Sequence, residues 1–203
     1  NFGITAAAEA VATAAGKDWA NLSETALYAP LGMRSTRSKY ADYMARDNRA
    51  ASHVAAEDGY AVADLRQPDA QSPAGGASSS ARDMARWMAM VLGRGMAEGE
   101  RVISEDALLP AMLAQTIRGT QMDVTARPGA YGFGFNVDTR LSGRVMLSHS
   151  GAFSLGASTS VAMVPDLDLG IVVLTNAPPI GVAETMTASF LDRAELGTDS
   201  RDW

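Results

Sequence analysis

RVMLSHSGAFSLGASTSVAMVPDLDLGIVVLTN, residues 144–176, is the stretch on which the fold turns. Its apolar and β-branched residues fall into runs of strand length at 144–148, 157–164 and 169–175, and Pro165-Asp166-Leu167-Asp168 supplies a turn between the last two. Short runs separated by turn formers read as an antiparallel meander, which 131–138 extends upstream by one strand. Beyond Pro178 and Pro179, the residues Val182, Met186, Phe190 and Leu191 recur at helical spacing, as a closing amphipathic helix that covers one face of a sheet would.

Upstream of the strands the period is helical. Ile4, Ala7, Ala8, Val11, Ala12 and Ala15 form one apolar stripe, with Gly16 where a helix C-cap glycine belongs. Trp19, Leu22, Ala26 and Leu27 continue a shorter helix until Pro30, which disfavours helix in the residue before it and makes Pro30-Leu31-Gly32-Met33 a turn. Residues 34–76 are polar and irregular, with turn formers at Asp58-Gly59 and across 67–73, and read as a long surface excursion. Ser78, Ser79 and Ser80 offer N-caps for a helix with Met84, Trp87, Met88 and Val91 on one face, and the Ser104 hydroxyl is placed to cap another helix ahead of Glu105 and Asp106. The expected fold class is α/β of the α+β type, an antiparallel sheet flanked by helices. It comprises a mainly helical part over 1–130 with its irregular excursion, and strands plus a C-terminal helix over 131–203 that complete the same domain.

Composition removes several functions. A formal net charge of -6 and a pI near 4.9 argue against nucleic acid, whose affinity comes from clustered Lys and Arg. The absence of cysteine removes a disulfide framework, a thiolate zinc site and a cysteine nucleophile, and leaves periplasmic, secreted and cytoplasmic settings all compatible. No apolar run approaches the roughly 20 residues that cross a bilayer. His53 and His149 are the only histidines, too far apart in sequence to suggest a local metal site, and no Gly-rich phosphate loop is present, so neither a metal nor a cofactor is expected. Lys17 and Lys39 are the only lysines, and Ala14 and Thr36 stand three positions before them, so the 203 residues contain no Ser-x-x-Lys pair. In Gly151-Ala152-Phe153-Ser154-Leu155-Gly156 the serine stands one residue too late for a nucleophile elbow, and no helix pattern follows.

What remains is His149-Ser150-Gly151-Ala152, just after one expected strand and before the next. Together with Tyr131-Gly132-Phe133-Gly134 before it and the segment 165–176 after it, this resembles the C-terminal part of the serine β-lactamase-related hydrolases, the group of class C β-lactamases, penicillin-binding proteins and related esterases. Asn1-Phe2-Gly3, Pro30-Leu31-Gly32-Met33 and Pro73-Ala74-Gly75-Gly76 leading into Asp83-Met84-Ala85-Arg86-Trp87 agree in order, so the resemblance spans nearly the whole chain. That family builds its site from Ser-x-x-Lys, Tyr-x-Asn and Lys-Thr-Gly or its His-x-Gly variant. His149, Ser150 and Gly151 match the third motif, and Asn1 matches the last residue of the second.

The resemblance implies a serine hydrolase acting by acyl transfer on a small ester, amide or β-lactam, with the nucleophile, its lysine and the tyrosine supplied by an N-terminal segment or chain upstream of Asn1. In that picture the Ala152 backbone N–H is an oxyanion donor and Gly151 lets substrate approach the strand edge. His149 donates a hydrogen bond or assists proton movement near the substrate, Asn1 orients substrate or lysine, and Tyr131 and Phe153 contact the substrate. The missing segment would also leave the strand over 169–175 at an unpaired edge. Each residue has a plainer role beside this one: a histidine at a strand end is commonly a half-exposed polar group, and Asn1 can be a frayed terminus. Asp166 and Asp168 read as turn formers, Trp19, Trp87 and the methionines from Met84 to Met90 as core or groove lining, and His53 receives no role. Two other functions stay open: a catalytically inactive binding module of the same fold, and an unrelated hydrolase using Ser154 or another serine with His149 and an aspartate.

Overall fold

The computed structural model describes residues 1–63, 66–119 and 121–202, which form two compact units interleaved along the chain. The first comprises residues 1–87, 153–157 and 176–178. It contains α1 (Phe2–Ala14), α2 (Trp19–Ser23) running into a π-helical turn at Glu24–Tyr28, α3 (Tyr40–Met44), a hairpin of β1 (His53–Ala56) and β2 (Gly59–Val62), α4 (Ser72–Gly75), and the start of α5 (Ala81–Leu92).

The stretch read as irregular therefore carries a hairpin and two short helices, none with a fully buried residue, which is why hydrophobic periodicity does not reveal them. On α1, Ala8 and Ala12 are buried, whereas Ile4 and Val11, placed on the same expected stripe, are about 60% exposed. The α5 start is fixed by three hydrogen bonds. The Asp83 N–H donates to the Ser80 hydroxyl at 3.2 Å, and the buried Asp83 carboxylate accepts from the Ser35 N–H at 2.7 Å and the Thr36 hydroxyl at 2.9 Å.

The second unit holds the rest of α5, a two-residue ladder of β3 (Met96–Ala97) and β4 (Glu100–Arg101), α6 (Glu105–Met112) and a six-stranded antiparallel sheet. The Ser104 side chain makes no capping bond to α6, contrary to the expectation. The sheet contains β5 (Thr116–Arg118), β6 (Gly129–Tyr131), β7 (Asn136–Thr139), β8 (Val145–Phe153), β9 (Ala157–Val164) and β10 (Leu169–Thr175) in spatial order β10-β9-β8-β7-β6-β5, so β10 stands at the end of the sheet. A turn at Pro165–Leu167, with Asp168 left-handed at φ 48°, joins β9 to β10 as the Pro-Asp-Leu-Asp spacing foretold.

β9 is buried on both faces. Ala162 and Val164 pack on one side with Leu191 of α7 (Val182–Leu196), together with Met146, Leu169 and Ile171. Opposite, a Cβ at Gly170 would meet Met163 Cγ and Met88 Sδ at 3.3 Å each, so the glycine lets α5 close on the sheet. The stripe that α7 buries is Ala183, Thr187 and Leu191. Met186 and Val182, read as sheet-facing, are instead exposed, and Phe190 is 41% exposed. Small side chains let the helix approach closely, and the Thr187 hydroxyl donates to the Ala183 carbonyl at 2.8 Å or to the Ser160 hydroxyl at 3.0 Å. Hydrophobicity alone points to the bulky stripe, whereas backbone approach favours the small one.

The C-terminal end of α7 is held by a buried ion cluster. Arg140 Nη2 lies 2.8 Å from Asp192 Oδ1, Arg140 Nε donates to Glu195, and the Ser200 N–H donates to Asp192 Oδ2 at 2.9 Å. Burial pushes the Asp192 carboxyl up, but hydrogen bonds from the Ser200 hydroxyl and amide and from Arg140 outweigh it, and the net direction is below the ordinary value. A carboxyl depressed in the folded state contributes stability that is present above the unfolded-state value of about 4 and is lost as pH falls through the folded value. Asp192→Asn is expected to lower unfolding free energy at pH 7 by about 3 kcal/mol and to flatten the loss of stability below pH ~4. Urea titrations across that range measure both, and an unchanged acid slope would remove Asp192 from the acid response.

Candidate active site

The candidate site in the second unit is made where β8 outruns β7. Pairing between the two strands runs from Thr139↔Val145 to Asn136↔Ser148, while β8 continues to Phe153. Among the described residues, the β7 ladder therefore leaves the backbone from His149 onward unused on that side. Ser150 and Ala152 are exposed and Gly151 is half-buried, so this continuation is accessible.

β7 stops there because of the turn before it, Gly132-Phe133-Gly134-Phe135. The Gly132 N–H donates to the Phe135 carbonyl at 2.9 Å, and a Cβ at Gly132 would lie 2.1 Å from the Ala111 carbonyl oxygen at the end of α6, so no side chain fits. Gly134 adopts φ +110°, a backbone that L residues rarely take. This conformation presents the Gly134 carbonyl to His149, whose Nδ1 lies 2.7 Å away. A carbonyl can only accept, so Nδ1 carries the proton and Nε2 of the neutral ring keeps its lone pair. The Tyr131 ring stands 6.5 Å from the His149 ring, centre to centre, tilted by 55°. His149, Ser150, Ser148 and Asn136 also border a cavity of about 190 Å³ that reaches Glu184 and Thr187 of α7. A larger recess of about 460 Å³ runs along the exposed flank of α7 between Phe190 and Asp199 and includes no residue of β8, so size does not locate the chemistry.

The structure thus gathers His149, Ser150, Gly151, Ala152 and Tyr131. Asn1 and Phe153 belong to the first unit. Asn1 occupies the N-cap position of α1, where its carbonyl accepts from the Thr5 N–H at 3.1 Å and its side chain makes no capping bond. Also in the first unit, the His53 N–H donates to the Asn176 carbonyl at 2.9 Å. Asn176 Nδ2 donates to the Ala51 carbonyl at 2.8 Å and faces His53 Nδ1 at 3.2 Å. A Cβ at Gly156, at φ +104°, would meet the His53 carbonyl at 2.7 Å. His53, given no role from sequence, is held in a backbone clasp; Asn176 directly after an apolar strand was the one available signal. Among the described residues no group of three or more His, Asp or Glu could hold a metal ion, and no helix is long and apolar enough to cross a membrane.

An antiparallel sheet flanked by helices, with an open strand bearing His-Ser-Gly, defines a β-lactamase/transpeptidase-like fold. The family described as Beta-lactamase matches residues 1–193, and the chain belongs to that family. Over 192 residues it is 26% identical to the D-alanyl-D-alanine-carboxypeptidase/endopeptidase AmpH of Escherichia coli (strain K12), a match covering 95% of this chain and 48% of that protein. The chain spans about half the length of the curated relatives it matches. A class C beta lactamase from Rhodobacter sphaeroides superposes with a TM-score of 0.70 at 23% identity, covering 91% of this chain and 56% of the other. An octameric penicillin-binding protein homologue from Pyrococcus abyssi gives 0.69 at 21% identity, with 90% and 40% covered. At these identities the two structures establish the fold alone.

The bond to Gly134 sets an expectation for the imidazole. Neutral His149 should be the Nδ1–H tautomer, read from long-range nitrogen–proton correlations, and Gly134→Ala should erode that preference. A dominant Nε2–H form in the unsubstituted chain would contradict the geometry.

Proposed function

We propose that this chain supplies one wall of a serine hydrolase that works through an acyl-enzyme on esters, amides or β-lactams, with the nucleophilic Ser-x-x-Lys contributed by residues outside positions 1–203. The observation that carries the reading is the continuation of β8 past its last pairing with β7 at Ser148, which leaves strand backbone beside a tautomer-fixed histidine. Acyl transfer needs a hydroxyl that loses its proton, a carbonyl held in place, and donors preorganised for the oxyanion that develops.

In this reading the Ala152 N–H is one oxyanion donor and the attacking serine's own N–H is the other. Gly151 lets the substrate lie against the strand. His149 accepts a hydrogen bond or a proton at Nε2 while Nδ1 remains on the Gly134 carbonyl, so the ring does not reorient as charge moves. Ser150 offers a hydroxyl beside it, and Tyr131 bounds the substrate. Membership in the Beta-lactamase family supports the reaction class, and the peptidase activities in the AmpH name support an amide among the candidate bonds. The sequence fact behind the division of labour is that neither Lys17 nor Lys39 follows a serine at the required spacing.

Labelling with a fluorophosphonate or a fluorescent penicillin tests this. The 203-residue chain should remain unlabelled, and when an N-terminal segment carrying Ser-x-x-Lys is supplied the label should appear on the serine of that segment. His149→Ala in the assembled protein is expected to slow acylation by about 10² or more. Labelling of the chain alone would favour a serine such as Ser154, and no labelling of the assembled protein would favour a binding module of the same fold.

A further inference from the structure

The cavity of about 190 Å³ between β8 and α7 lies wholly within the second unit, and the charges on its border are unevenly matched. Arg140 is neutralised by Asp192 and Glu195. Glu184 has no such partner: every Lys and Arg of the sequence is among the described residues, and none lies within ion-pair distance of its carboxylate. Glu184 stands in the first turn of α7, where a carboxylate often caps the helix, yet it accepts no hydrogen bond among the described residues.

Three neutral polar groups border the same space. Asn136 and Ser148 are register partners on β7 and β8, so their side chains stand side by side on one face of the sheet, and Ser150, two residues along β8, points to that face. None of the three side chains has a hydrogen-bond partner among the described residues. A carboxylate, an amide and two hydroxyls all offer acceptor oxygens, and an anionic group entering among them would meet Glu184 with no counter-charge left to balance it. A primary ammonium brings the opposite charge and three N–H donors on a compact head. Ser148 and Ser150 precede Gly151 and Ala152 on β8, so a group held beside them lies on the strand assigned to acylation.

We propose that this cavity is a subsite for the primary ammonium group of a substrate, with Glu184 as counter-ion and Asn136, Ser148 and Ser150 as neutral acceptors. Its part in substrate choice rests on the hydrolase reading above; its capacity to bind an ammonium does not. Glu184 here decides specificity from a distance, since it meets the amine and not the reacting carbonyl.

Alanine amide titrated into the 203-residue chain at pH 6, where its amine is protonated, tests the subsite, with N-acetylalanine amide as the neutral control. The Asn136 side-chain amide resonances should shift saturably with alanine amide and stay in place with the acetylated control. Alanine amide should bind about fivefold more weakly to Glu184→Gln, and added salt should narrow that gap. In the assembled protein, the ratio of kcat/KM for alanine anilide over its N-acetyl counterpart should fall by a similar factor in Glu184→Gln, whereas structural damage would lower both rates and leave the ratio. Stationary Asn136 resonances, or equal affinity for alanine amide in Glu184→Gln, overturn the proposal. Failure of acylation in the assembled protein alongside ammonium binding at Glu184 would remove the hydrolase reading and keep the subsite. Normal acylation with no alanine amide bound beside Asn136 would do the reverse.

Discussion

The hydrogen bond between His149 Nδ1 and the Gly134 carbonyl can be made in one direction only, and much of the second unit is arranged to permit it. The carbonyl faces the ring because Gly134 takes φ +110°, and the turn holding Gly134 closes on α6 because Gly132 has no side chain to strike the Ala111 carbonyl. The same turn ends β7 opposite Ser148. One local constraint therefore fixes both the proton on the imidazole and the point where strand backbone becomes open. A substitution at either glycine would disturb tautomer and opening together, although neither residue offers a functional group.

That opening would be of little use on a strand free to slide. β8 is held by the layers around it: β9 is buried on both faces, with Leu191 of α7 against Ala162 and Val164 on one side and Met88 against Met163 and Gly170 on the other. Because side chains alternate along a strand, a register slip of one residue would exchange these two packed faces. The Ser160–Thr187 hydroxyl contact adds a directional constraint that apolar packing cannot supply. Tight packing of the sheet is thus what makes a loosely paired strand end tolerable.

The strand runs, the Pro165 turn and the helices α1, α5 and α7 were legible in the sequence because each has a local period or a punctuating residue. Which face a helix buries was less so. Of the expected α7 stripe Val182, Met186, Phe190 and Leu191, only Leu191 is buried, and it shares its face with Ala183 and Thr187, since the closeness of a helix depends on what stands opposite and not on its own pattern. The hairpin β1–β2 escaped for a related reason: its burial is too shallow for alternation to appear. His149 stands in a recognisable motif, whereas Gly132, Gly134 and Asn176 owe their places to partners 15 to 125 positions away, which no window on the chain brings together.

Arg140 shows what this chain does with a buried cation that serves the fold: Asp192 and Glu195 neutralise it, and Ser142 and Ser200 complete the carboxylates' hydrogen bonding. The cluster is closed and leaves a ligand little to add.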